Sequence, residues 1–167
     1  DPDAPVFGAV KVPFNKPSVA RRASIGGTIV ADTGNNRVVH IDRAGTVLWE
    51  ITDFVDPGDI AGAPLLPPGS SLSLNKPTDV SLWASTEPDD PADPAGTTHP
   101  AYHYLIADSG NYRVVEIVAK FNPNPSINTY RNVLRWTSKT LAQGKQYRFA
   151  TARPIYLPDQ TQSDPCK

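Results

Sequence analysis

Three histidines, a run of carboxylates, a lone cysteine and two copies of an Asp-x-Gly-Asn-x-Arg string are the parts of this chain with chemical potential. His99 and His103 lie four apart in a segment that contains Pro100, so the helical His-x-x-x-His pairing that suits zinc is lost, and both read as loop histidines without a third ligand. His40 alternates with Val38 and reads as a packed or edge residue of a strand. Glu87-Pro88-Asp89-Asp90-Pro91-Ala92-Asp93 could attract calcium, because hard cations take clustered carboxylates, but it lacks the glycine turn and alternate ligand spacing of an EF-hand. A solvated acidic loop is the expectation there. Cys166 can form neither an intrachain disulfide nor a cysteine-based metal site, and a Cys-x-x-Cys-His haem attachment would need sequence beyond Lys167. No Gly-x-Ser-x-Gly nucleophile motif occurs, and Gly69-Ser70-Ser71 sits in a proline-flanked loop. Arg21-Arg22-Ala23-Ser24 matches a basophilic kinase site, but a β-turn between strands accounts for it. No catalytic, cofactor-binding or metal-ligating residue is therefore assigned.

The elements that must position these groups are β-strands. The 167 residues include 18 prolines and 11 glycines with no period of three, which disfavours long helices and favours short strands joined by turns. With 39% hydrophobic and 20% charged residues the composition is that of an ordinary globular chain. No apolar run is long enough to span a bilayer. The net charge of -1 recruits neither nucleic acid nor an anionic surface. Charge is unevenly spread, however: Asp53 to Asp93 is acidic with Lys76 its only base, and Arg113 to Arg153 is basic. The acidic, proline-rich opening Asp1-Pro2-Asp3-Ala4-Pro5 suits an exposed segment after a processing site, from which an exported protein is expected, periplasmic, cell-surface or extracellular.

An internal repeat organises the chain. Ile29-Val30-Ala31-Asp32-Thr33-Gly34-Asn35-Asn36-Arg37-Val38-Val39-His40-Ile41 returns as Leu105-Ile106-Ala107-Asp108-Ser109-Gly110-Asn111-Tyr112-Arg113-Val114-Val115-Glu116-Ile117. Asn15-Lys16-Pro17-Ser18 precedes the first copy and Asn75-Lys76-Pro77-Thr78 the second. Downstream, Leu48-Trp49-Glu50 matches Leu134-Arg135-Trp136 with a shift of one residue. Each unit reads as an Asn-Lys-Pro turn, two strands, an Asp-x-Gly-Asn turn, and two more strands, the last carrying a tryptophan. Asp32 and Asp108 are expected to accept backbone N–H bonds within their turn, Gly34 and Gly110 to take positive φ, and Asn35 and Asn111 to tolerate the left-handed region. Arg37-Val38-Val39-His40-Ile41 has the period of a half-buried strand. Arg37 and Arg113 are expected to bridge to Asp32 and Asp108 in their own or the adjacent blade, a structural role that suits a planar guanidinium.

Asp-Thr-Gly-Asn-Asn-Arg-Val-Val and Asp-Ser-Gly-Asn-Tyr-Arg-Val-Val resemble the motif of NHL repeats, the four-stranded blades of a β-propeller family. The resemblance implies a toroid of blades with loops on one face used for binding; with two copies and the start of a third, the expectation for this chain is an all-β fold, a partial β-propeller in an incomplete ring. It also brings in relatives that are amidating lyases or lactonases with zinc or calcium on the central axis. The copies stand 76 residues apart. Repeats of the NHL kind usually recur at about 40–50 residues. The excess falls in two proline-rich insertions, Asp53 to Ser73 and Thr86 to His103, the second lying between the first two strands of the second unit.

The expected organisation is an N-terminal segment over residues 1–14 that forms an outer strand of a preceding blade, a first blade over 15–52, an insertion over 53–74, a second blade over 75–140 with an acidic loop over 86–103, and the start of a third blade with a tail over 141–167. Two blades cannot close a ring, and open strand edges invite pairing, so further sequence or other chains must cover them. The functional expectation is a non-enzymatic protein-interaction or assembly module that needs no cofactor. A propeller enzyme whose axial metal site lies in absent blades is the alternative, and a module associated with multihaem cytochromes is a second. Single-stranded RNA binding through Arg131, Arg135, Lys139, Lys145 and Arg148 is disfavoured by the acidic middle.

Overall fold

The computed structural model describes residues 13–56, 66–88, 98–120, 131–138 and 150–153. Within them the chain is all-β, two four-stranded antiparallel sheets each in simple meander order. The first comprises β1 (Val19–Arg22), β2 (Thr28–Asp32), β3 (Arg37–Ile41) and β4 (Val47–Ile51). The second comprises β5 (Pro77–Pro88), β6 (Thr98–Asp108), β7 (Arg113–Lys120) and β8 (Arg131–Thr137). A 3-10 turn joins the middle strands of each, Thr33–Asn35 and Ser109–Asn111. The repeat is thus a repeat of whole sheets, and no ring is closed.

Register confirms the equivalence residue by residue. Asp32 pairs with Arg37 and Asp108 with Arg113, so the shared string forms the same hairpin twice. Trp49 lies opposite His40, and Trp136 opposite Glu116. Both outer strands then carry an irregularity one step further on, and Val47 and Leu134 face Ile41 and Ile117. The two tryptophans are therefore equivalent, and the one-residue offset expected from sequence becomes Leu134 standing where Val47 does.

The sheets pack face to face in a directional way. Ile29, Ala31, Val38, Trp49 and Ile51 from one face of the first sheet share a single core with Val80, Tyr104, Ile106, Val115, Ile117 and Leu134 from one face of the second. By the repeat these two faces are not equivalent. The first sheet uses the face carrying Ile29 and Val38, the second the face carrying Ile106 and Val115, whose counterparts Val30 and Val39 lie on the back of the first sheet. The contact is therefore head-to-tail, the kind that propagates rather than pairing off. Val30 and Val39 are also buried, so β3 is covered on both faces and not half-buried as its alternation suggests.

Polar bonds fix the same junction. The Arg21 guanidinium reaches the Asp79 carboxylate and the Val80 carbonyl, and the Ser18 hydroxyl donates to the Thr78 carbonyl at 2.7 Å. The Trp49 indole N–H donates to Asn132 Oδ1 at 2.8 Å. After β4 the chain runs beside β8, with Val55 N donating to the Asn132 carbonyl and Leu134 N to the Val55 carbonyl, which partly covers that sheet edge.

The second insertion departs from expectation. Where residues 86–103 read as an acidic loop, β5 runs to Pro88 and β6 begins at Thr98, so the insertion lengthens a hairpin. His99 and His103 consequently lie in a strand. The carboxylates of residues 89–93, the segment 1–12, Cys166 and most of residues 141–167 fall outside the described residues. Ala150–Arg153, from the expected third unit, lies on β5: Ala152 N donates to Asp79 Oδ2 at 3.1 Å and Ser81 Oγ donates to the Ala152 carbonyl at 3.1 Å.

Candidate functional site

The two Asp-x-Gly-Asn-x-Arg turns form matching buried clusters. Asp32 Oδ1 accepts from Asn15 N at 2.7 Å, and Oδ2 accepts from Asn35 Nδ2 at 2.8 Å and Arg37 Nε at 2.7 Å. Asp108 repeats this with Asn75 N at 2.7 Å, Asn111 Nδ2 at 2.9 Å and Arg113 Nε at 2.8 Å. Each carboxylate is fully buried and each arginine nearly so, and every lone pair that accepts a hydrogen bond offsets part of the cost of burying the charge. Burial alone would pull the Arg37 guanidinium down, but hydrogen bonds and charge from Asp32 and Glu50 outweigh it and its pKa is raised. Arg37 also lies 5.8 Å from the Phe14 ring centre and Arg113 5.1 Å from that of Phe54.

Two details of these turns differ from the sequence expectation. The carboxylates bind the backbone of the Asn-Lys-Pro segment and not of their own turn. The left-handed residues are Asn36 and Tyr112, both at φ 55, while Gly34 and Gly110 have ordinary φ. Those glycines are required by crowding: a Cβ would come 2.5 Å from the Asn15 or Asn75 side chain, whose backbone carbonyl accepts the glycine N–H. Of the two alternatives expected for the arginines, the own-sheet one holds, because their strand partner is the aspartate itself. Saturated in this way, the clusters build the fold and leave no donor set for chemistry. Among the described residues no three His, Cys, Asp or Glu side chains converge as a metal site.

Chemistry of another kind lies on the lengthened hairpin. His103 Nε2 is 2.7 Å from Ser85 Oγ, and His103 Nδ1 is 2.9 Å from Glu116 Oε1. The three residues come from three neighbouring strands, β5, β6 and β7. His103 is directly opposite Trp83, and their rings stack at 5.0 Å with an interplanar angle of 11°. Ser85 pairs with Ala101, one step past the last β6–β7 pair, Tyr102 with Ala119, so its backbone belongs to the part of the hairpin that protrudes beyond the sheet. With a carboxylate accepting the Nδ1 proton, the imidazole carries its lone pair on Nε2 and the serine hydroxyl donates to it. That is the order of groups in a serine general-base relay.

Trp83 also lines an open cleft of about 530 Å³ between β1 and β5, together with Arg21, Arg22, Ser81, Leu82 and Arg153. The single Asp79 carboxylate pairs with two of the three guanidiniums, Arg21 and, at 3.8 Å, Arg153, so the arginines outnumber it and the cleft is cationic. Sequence reasoning assigned His103 to a loop and passed over Ser85 and Glu116. The only signal was strand alternation through the insertion, which places Trp83 and Ser85 on one face of β5 and His103 on the matching face of β6. Comparison with protein-family models, curated proteins and solved structures yields no match.

Proposed function

We propose that the chain is an interaction or assembly module of an exported protein, a segment of an NHL-like β-propeller whose open sheet faces are covered by further sequence or by other chains. The observation that carries this reading is the contrast between equivalent tryptophans. Trp49 is 7% exposed because its face packs on the second sheet, whereas Trp136, in the same register position, is 48% exposed. A head-to-tail contact leaves one used and one unused face at the end of any short stack, and Trp136 stands on the unused one. The contacts of Ala150–Arg153 with Asp79 and Ser81 support the same direction of growth, since Ser81 is the counterpart of the Arg21 that reaches across the first junction.

Sedimentation velocity over a concentration series tests the reading. Concentration-dependent assembly that Trp136→Arg abolishes is the expected result. A monomer at every concentration whose Trp136 stays open to solvent, even with the neighbouring sequence of the natural protein present, would contradict it.

A further inference from the structure

We propose that Ser85 is an activated nucleophile, and that Ser85, His103 and Glu116 form a hydrolytic site for carboxylic esters that carry an anionic group. The inference goes beyond the assembly reading and does not rest on it, because the relay is built wholly within the second sheet. Its geometry is complete at both links, 2.7 Å from Ser85 Oγ to Nε2 and 2.9 Å from Nδ1 to Glu116. His103 is buried while Ser85 is only half-buried, so the base is shielded and the serine keeps part of its surface open to solvent. Trp83 locks the imidazole plane by stacking and is also a wall of the cationic cleft, which joins the relay to Arg22 and Arg153. The first sheet has none of this: Gly27 and His40 occupy the positions of His103 and Glu116, and His40 Nε2 is bonded to the Gly26 carbonyl at 2.9 Å.

The reaction balances without any co-reactant other than water. Ser85 Oγ bonds to the ester carbonyl carbon while His103 Nε2 takes the hydroxyl proton. The carbon–oxygen bond to the alcohol then breaks, and His103 returns that proton to the leaving oxygen. Water attacks the acyl-serine with His103 again as base, and the carboxylic acid leaves as the proton returns to Oγ. Glu116 is a positioning residue that holds the Nδ1–H tautomer and stabilises the imidazolium without taking its proton.

The test is labelling of the intact chain with a fluorophosphonate, in which Ser85 Oγ bonds to phosphorus, the phosphorus–fluorine bond breaks, fluoride leaves and the proton passes through His103 to solvent. One adduct per chain is expected, mapped to Ser85 by peptide mass spectrometry and abolished by Ser85→Ala. His103→Gln should slow labelling by about 100-fold or more, the usual worth of a general base. Glu116→Gln should slow it less, with partial recovery in Glu116→Asp, and carries the same test if His103→Gln alters the near-UV circular dichroism. For substrate class, Arg153→Ala should raise KM for a nitrophenyl ester bearing a free carboxylate by a larger factor than KM for 4-nitrophenyl acetate. No adduct, an adduct that survives Ser85→Ala, or a labelling rate at Ser85 that neither His103→Gln nor Glu116→Gln changes would overturn the nucleophile. Equal effects of Arg153→Ala on both esters would overturn the anionic substrate.

Discussion

The first sheet has an imidazole on β3, where His40 lies over Gly27 and bonds to a turn carbonyl; the second has one on β6, where His103 lies between a serine and a glutamate. The two histidines occupy different positions of the same repeat, and their surroundings explain the exchange. A Cβ at Gly27 would strike the His40 ring, so the first sheet can hold only one large group at that crossing. In the second sheet the imidazole moves to the β6 side and a shorter carboxylate faces it from β7. The insertion then extends β5 and β6 far enough to supply Ser85 and Trp83. The shared turns build the same sheet twice, and the residues that differ decide which sheet can do chemistry.

The largest effect should come from the feature the sheets share. Asp32→Ala and Asp108→Ala each leave a buried guanidinium without its partner, and each should cost about 3–5 kcal/mol in urea unfolding, an upper range for a point change in a small fold. A much smaller loss for either one would break the equivalence of the two turns. Next comes the tryptophan pair. Trp49→Ala should destabilise by about 3–5 kcal/mol through the cavity it leaves, and Trp136→Ala by no more than about 0.5 kcal/mol in the unassembled chain. Similar losses at both positions would mean that the two faces are equally covered.

The smallest effect concerns His40. Burial lowers its pKa from the ordinary 6.5, with the Gly26 carbonyl opposing the shift only in part. A depressed folded pKa contributes stability that is fully present above about pH 6.5 and is lost as pH falls toward the folded value. Unfolding curves between pH 7.5 and about pH 5 should therefore show a decline that His40→Gln flattens. An unchanged slope in the variant would assign the decline to other groups.

Much of the fold was legible in the chain because the repeat aligns structural necessities. Asp32, Gly34, Asn35 and Arg37 recur as Asp108, Gly110, Asn111 and Arg113 since each fits a contact that cannot be made otherwise, and four strands per unit followed from the flanking alternation. The reasons attached to single residues were harder to read. Gly34 looked like a turn glycine by type, yet it is selected by the approach of Asn15, a residue 19 positions away in sequence. The insertion misled because its prolines and carboxylates resemble loop composition, while a two-stranded extension tolerates both at its edge. Ser85, His103 and Glu116 are 18 and 13 positions apart, and only strand register brings them together.

The second sheet presents, uncovered, the face that the first sheet has already used. Hydroxyl-radical footprinting of the isolated chain measures it most directly, by comparing oxidation of Trp49 with that of Trp136 in one digest. Trp136 should oxidise about tenfold faster than Trp49, its rate falling toward that of Trp49 when the face is covered by neighbouring units or copies. Equal protection of both tryptophans in the dilute, monomeric chain would contradict it.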